Sequence, residues 1–378
     1  MISDAIIVGA GIVGAACARA LARDGLRVTI IDSGVIAGGT TAAGMGHISV
    51  MDDTPAQLAL TAYSRQLWAD LAAELPADCE FDPSGTLWVA ADEDELAAAR
   101  HKQATLRAHG VRAELLDARQ VAEAEPQLRA GLAGGLLQPD DQIVYPPCVA
   151  RWLIEQAGHP RSGSANGGTV RLDTRVESLE GDHVCLADGT RLAAGFVVNA
   201  AGPAAPQLTA GLPIRSRKGH LVITDRYRGF VRRQLVELGY AKSASGEARE
   251  SVAFNVQPRR SGQILIGSSR QYDKDTREIE TEILGRMLRR ACEYLPGLGR
   301  LVAIRSWTGF RPATADKLPL IGPWPRTPGL YLAAGHEGLG ITNSLATGQL
   351  LADMIAGRES KIARAPYLPS RLHSPESR

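Results

Sequence analysis

The feature that most constrains this chain lies near its start, in Gly9-Ala10-Gly11-Ile12-Val13-Gly14, set between an apolar run and an alanine-rich stretch. Ala5-Ile6-Ile7-Val8 reads as a short buried strand. The residues after Gly11 read as a helix running to Arg23-Asp24 and stopped by Gly25, and Arg27-Val28-Thr29-Ile30-Ile31 as a second strand ending on Asp32. Strand, glycine turn, helix, strand and acid make a dinucleotide-binding βαβ unit. Gly9 permits the tight turn, Gly11 lets the backbone approach a pyrophosphate, and Gly14 lets the helix sit close on the sheet. The helix N-terminus favours phosphates through its free N–H groups and its dipole, and Asp32 is suited to accept a hydrogen bond from a ribose hydroxyl. An acid here disfavours the 2′-phosphate of NADP and leaves NAD and FAD both open. A glycine-rich βα turn that binds nothing is the bland alternative.

Later segments favour the longer cofactor. Gly39-Thr40-Thr41-Ala42-Ala43-Gly44-Met45-Gly46-His47 is a run of small residues suited to pass against a phosphate or a flat ring, although a flexible linker has a similar composition. Val176–Leu179, His183–Leu186 and Thr190–Ala193 read as a meander of short strands, with Asp188-Gly189 as a hairpin signal. The chain then returns through Phe196-Val197-Val198 to Asn199-Ala200-Ala201-Gly202, tiny side chains where backbone must approach something large. Near the end, Gly329–Gly335 reads as a strand, and Gly338-Leu339-Gly340-Ile341-Thr342 opens a helix expected over Asn343–Ala356. A glycine-lined helix start suits the pyrimidine end of a flavin, whose reduced form carries negative charge there. A phosphate fingerprint at one end of the chain and a helix N-terminus at the other bracket a cofactor as long as FAD.

Bulk properties exclude other classes. At 378 residues, two domains are the natural expectation. Lys+Arg 42 against Asp+Glu 41 leaves a net charge of +1, and no basic stripe argues for nucleic acid or an anionic membrane surface. Cys17, Cys79, Cys148, Cys185 and Cys292 are scattered without C-x-x-C spacing, which fits reduced intracellular thiols and gives no metal or iron–sulfur set. The apolar start lacks the basic segment of a signal peptide, and no run is long enough for a transmembrane helix, so a cytoplasmic location is expected.

The order of these motifs, together with Trp307-Thr308-Gly309-Phe310-Arg311-Pro312, Asp316, Pro319-Leu320-Ile321-Gly322 and Gly335-His336-Glu337-Gly338-Leu339-Gly340, resembles the D-amino acid oxidase/glycine oxidase family of flavoenzymes nearly end to end. Thr40–His47, Tyr240-Ala241-Lys242-Ser243 and Val252–Arg259 are similar to the flavin subunits of dye-linked D-hydroxyproline and related proline dehydrogenases, relatives of hydrogen cyanide synthase and opine oxidase subunits. The resemblance implies an α/β fold: a Rossmann-like FAD-binding domain of the glutathione-reductase type, with a discontinuous α+β substrate domain built on an antiparallel sheet. It assigns residues 1–80, 140–212 and 310–378 to the first, and 81–139 and 213–309 to the second. Gly85–Ala90 and Gly262–Gly267 are compatible as strands of that sheet, and Asp92–Val111 and Arg277–Tyr294 as helices. The acidic run from Asp92 to Glu95 reads as a charged helix start with no further role. Gly158–Gly168 reads as a surface loop and the tail after Gly357 as irregular.

On the cofactor side the resemblance implies Gly9, Gly11, Ile12, Val13, Gly14, Asp32, Ser33, Thr40, Thr41, Ala43, Gly44, Met45, Gly46, Val176, Ala200, Ala201, Gly202, Gly338, Leu339, Gly340, Ile341 and Thr342, with Arg311 shared with the substrate side. No cysteine or histidine stands where covalent attachment is expected, which implies non-covalent FAD. The substrate is expected to be a small amino or imino acid, D-hydroxyproline first and proline second, losing a hydride from the carbon beside its nitrogen. A glycine-, D-amino acid- or sarcosine-type oxidase, and a flavin subunit active only in a heteromer, are the alternatives; a pyridine-nucleotide enzyme is the rival class. Arg311 matches the carboxylate-binding arginine; a structural pair with Asp316 is its other reading. His47 and His336 either accept a proton or form hydrogen-bonded walls, Tyr240 is a lid residue or a core one, and Lys218 is a solvated lysine or a site residue. A partner protein is the expected electron acceptor.

Overall fold

A computed structural model describes residues 3–158, 168–239, 250–272 and 274–373. Tyr240 and most of the expected surface loop after Gly158 lie outside the described residues.

The opening strand, Ser3–Val8, sits at the middle of a sheet because nothing in Ala5–Val8 can face water. It pairs in parallel with Val28–Ile31 on one side and Arg191–Asn199 on the other. Thr169–Arg171 and Leu330–Ala334 extend the sheet in parallel, and Leu320–Pro323 closes one edge antiparallel. The stretches expected as two strands, Thr190–Ala193 and Phe196–Val198, are one continuous strand, Arg191–Asn199. Its first half pairs antiparallel with His183–Leu186, and its second half enters the parallel sheet. The alanine-rich helix Ile12–Arg23 covers one face together with Pro146–Gly158 and the final helix, Gly340–Ile355.

That final helix begins at Gly340, three residues before the expected start. The short 3₁₀ turn Glu337–Leu339 runs straight into it, and Gly340 takes ordinary helical angles (φ −59°, ψ −34°). The helix expected from Arg277 starts only at Thr281. Glu280 is held extended there: its N–H donates to His220 Nε2, and its carboxylate accepts from Lys218 and Gln271.

A second sheet of eight strands roofs the first. Its order is Ala303–Ala313, Arg215–Thr224, Ile264–Gln271, Glu250–Pro258, Gln234–Glu237, Thr86–Ala90, Gly134–Gln138 and Glu114–Asp117. It is antiparallel throughout except between Gln234–Glu237 and Thr86–Ala90, which run parallel. Thr281–Tyr294 packs on its outer face through Met287, Ala291 and Tyr294, the last stacked on Phe254 at 4.5 Å. Asp92 caps the helix Glu93–Ala108, and Glu93, Asp94 and Glu95 fill its first turn. Ala303–Ala313 runs across the expected domain junction at 309/310. After Gly357 the chain makes short 3₁₀ turns, pinned where the Tyr367 hydroxyl donates to the Ala56 carbonyl. Among the described residues no helix is long and apolar enough to cross a membrane.

Candidate active site

Between the two sheets lies one continuous cavity of about 2360 Å³. Its floor begins at the glycine turn. Gly9 has φ +116°, and a Cβ on Gly14 would stand 1.9 Å from the Gly9 carbonyl oxygen, so these two glycines are demanded by the turn and by helix packing. Gly11 differs, because a Cβ there would meet only Thr41 Oγ1 at 3.2 Å and would otherwise point into the cavity. The Thr41 hydroxyl accepts from Ile12 N–H at 3.0 Å, fixing the first helical turn against the small-residue loop. Asp32 accepts from the N–H groups of Ala10 (2.7 Å) and Gly34 (2.9 Å). It thus braces the turn as well as lining the cavity, and a carboxylate retains lone pairs for a ribose hydroxyl. Every residue expected on the cofactor side lines this cavity except Gly14, which lies beneath the turn.

Asn199 explains the Asn-Ala-Ala-Gly segment. Fully buried, it donates to Ala205 O and Thr209 Oγ1 and accepts from Ala201 N–H, a bend that presents Ala200 and Ala201 to the cavity. The small-residue loop, which includes a short helix at Thr40–Ala43, is stitched to the roof. Thr40 Oγ1 donates to Phe310 O at 2.6 Å, and Gln257 Nε2 donates to Met45 O at 2.7 Å. The floor and the strand that carries Arg311 are therefore positioned as one unit.

Arg311 projects from Ala303–Ala313 into the cavity and donates to Ser269 O at 3.0 Å. A Cβ on the neighbouring Gly219 would lie 2.5 Å from its Nη1, so the missing side chain is what makes room for the guanidinium. Asp316, the suggested structural partner, pairs instead with Arg371 at 2.7 Å. Strand alternation adds what the sequence reading missed. Arg215, Arg217, Gly219 and Leu221 face the cavity, as do Ser268, Arg270 and Tyr272 of the adjacent strand. Lys218 falls on the opposite face, where it is fully buried and pairs with Glu280 at 3.1 Å, so it is neither solvated nor in the cavity. Arg217 lies directly across the ladder from Arg311. Glu337, at φ +50°, meets Arg217 at 3.3 Å. Burial alone would raise its pKa, but the charges of Arg311, Arg270 and Arg217 outweigh that and hold it below the ordinary carboxylate value.

The two histidines are walls. Burial pushes both His47 and His336 down to about 3, so each is a neutral imidazole at neutral pH and a poor proton acceptor. His47 Nε2 bonds Thr86 Oγ1 at 2.7 Å, and His336 Nε2 bonds Thr347 Oγ1 at 2.9 Å. Behind His47, burial raises the Asp141 carboxyl to about 6 against hydrogen bonds from Ser49 and Thr86.

A glycine-turn floor, a helix start at the far end and a cationic sheet above define an oxidoreductase of the dinucleotide-binding class. The chain belongs to the FAD dependent oxidoreductase (DAO) family, whose model matches residues 4–354. It is 28% identical over 387 residues to a glycine oxidase of Pseudomonas aeruginosa, covering 97% of this chain and 98% of that one. It is 26% identical to the hydrogen cyanide synthase subunit HcnC of the same organism, covering 98% and 96% of the two chains. The crystal structure of glycine oxidase from Geobacillus kaustophilus superposes with a TM-score of 0.86 at 27% identity, covering 98% of each chain. The protein is an FAD-dependent oxidoreductase that acts on amino acids. The floor fits that cofactor, since space opens at Gly11, Ala200 and Ala201 where a dinucleotide needs bare backbone, and the start of Gly340–Ile355 faces the same cavity.

Proposed function

We infer that the chain is a dehydrogenase that oxidises the C–N bond of a small amino or imino acid, with Arg311 holding the substrate carboxylate. The observation that carries this reading is the Arg311 guanidinium in the cavity roof, beside Gly338 in the 3₁₀ turn that leads into the last helix. A guanidinium grips a carboxylate through two parallel hydrogen bonds, which fixes the α-carbon as well as the charge. FAD, held without a covalent bond, supplies the hydride acceptor. The substrate gives a hydride from carbon and a proton from nitrogen, and leaves as the imine. With His47 and His336 neutral and weakly basic, the amine proton is assigned to solvent.

Cyclic imino acids, D-hydroxyproline and then proline, lead the substrates on the strength of the resemblance in Thr40–His47 and Val252–Arg259. A partner protein is proposed as the electron acceptor, since relatives at this level of similarity include a synthase subunit. The domain division at residues 80/81, 139/140, 212/213 and 309/310 belongs to the same proposal. Mixing the purified enzyme anaerobically with D-hydroxyproline, L-proline, glycine, sarcosine and D-alanine tests the reading by loss of flavin colour. Bleaching by none of them would remove it. Hydrogen peroxide formed as fast as an artificial dye is reduced would replace the dehydrogenase with an oxidase.

A further inference from the structure

Beyond the single carboxylate clamp, the roof carries a second cationic position. Arg217 stands opposite Arg311 on the neighbouring strand, so the two side chains leave the sheet side by side. It is only 5% exposed and lines the cavity, and its Nε has no hydrogen-bond partner among the described residues. Its guanidinium rests on the ring of Tyr272 at 4.7 Å, which fixes its direction. Arg270, also 5% exposed, faces the same space from the next strand, and the three guanidiniums act together on the Glu337 carboxylate. Burying an arginine is costly unless an anion meets it; among the described residues Glu337 meets Arg217 through Nη1 alone and leaves the Nε edge without a partner.

We propose that Arg217, supported by Arg270 and Tyr272, forms a second anion subsite, and that the enzyme takes an amino or imino acid bearing a second carboxylate. This deepens the function proposed above and rests on Arg311 holding the first carboxylate. It revises the substrate order given above, placing an amino or imino acid with a second carboxylate ahead of D-hydroxyproline and proline. Glu337 then serves as the counter-ion that the incoming carboxylate joins or displaces.

The test uses the FAD-loaded enzyme and unreactive acids, read by calorimetry and by the shift of the flavin spectrum. Malonate, succinate and glutarate are compared with acetate, propionate and butyrate at constant ionic strength. At least one diacid is expected to bind about tenfold or more tighter than its monoacid. Arg217→Gln should reduce that ratio to about twofold or less, with Arg217→Lys between the two, whereas Arg311→Gln should weaken both classes. Diacids and monoacids binding alike to the wild type would overturn the proposal without any variant, as would an unchanged preference in folded Arg217→Gln. If no acid binds and no amino acid bleaches the flavin, the underlying function has failed, and the second subsite falls with it.

Discussion

The floor and the roof of this cavity are built by different means. The floor presents backbone to the cavity: a turn at Gly9–Gly14, two alanines after Asn199 and a helix start at Gly340, each local in sequence. The roof presents to it long charged side chains drawn from strands far apart in the chain, Arg217, Arg270 and Arg311, brought together only by sheet register. Backbone recognition demands glycine at fixed spacing and is therefore written plainly in a sequence. Side-chain recognition across a sheet depends on which residues share a face, and a shift of one position inverts that assignment.

The sharpest way to break this contrast is within the floor itself. Gly14→Val would drive a side chain into the Gly9 carbonyl and should cost more than about 3 kcal/mol, leaving little folded protein. Gly11→Val meets only a threonine hydroxyl, so it should fold, melt near the FAD-free wild type and lack yellow colour. Circular dichroism and flavin absorbance of the two purified variants separate packing from binding; full FAD occupancy in Gly11→Val would falsify the assignment of the turn.

On the roof, Arg311→Ala should lower kcat/KM about 10²–10³-fold, or about 3–4 kcal/mol, with Arg311→Lys recovering part of the loss. Fold and FAD content should largely persist, because most of the proposed cofactor contacts lie on the floor. A smaller cost belongs to Asp32→Ala, about 1.5–3 kcal/mol of FAD affinity by equilibrium dialysis, since its two hydrogen bonds brace the turn. An unchanged affinity would assign Asp32 to the fold alone.

Taken per pH unit, the smallest expected effect concerns the walls. His336 has a folded pKa of about 3 against an ordinary 6.5, so its contribution to stability is complete above pH 6.5 and is lost as pH falls from there toward 3. Melting curves should show about 1.4 kcal/mol lost per pH unit in that window from this group, with an equal share from His47, so His336→Gln should reduce the slope without abolishing it. The same slope in the variant would mean that another group drives it.

The legibility of each part follows this division. The βαβ unit, the small-residue loop and the Asn-Ala-Ala-Gly bend were readable because glycine and alanine in those patterns have few other uses. Arg311 is legible only through a resemblance; its local sequence offers Asp316 as a structural partner, but Arg371 occupies that acid. Arg217-Lys218-Gly219-His220 offers the lysine as a candidate, yet strand alternation buries Lys218 behind the sheet and turns Arg217 into the cavity. The alternation in Arg215-Ser216-Arg217 and Ser268-Ser269-Arg270-Gln271-Tyr272 held the signal, but which parity faces inward is set by the register with Ala303–Ala313. The early start of the last helix escaped for a local reason: Gly338 and Gly340 looked like a boundary, whereas a 3₁₀ turn carries the chain through them.

The most direct test compares an amino acid with its own amide in anaerobic stopped-flow reduction of the flavin, for wild type and Arg311→Ala. The acid should bleach the wild type about 10²-fold or more faster than the amide, and the variant should treat the two nearly alike. Equal rates for acid and amide in the wild type, or a preference for the acid that survives in Arg311→Ala, would contradict the carboxylate clamp.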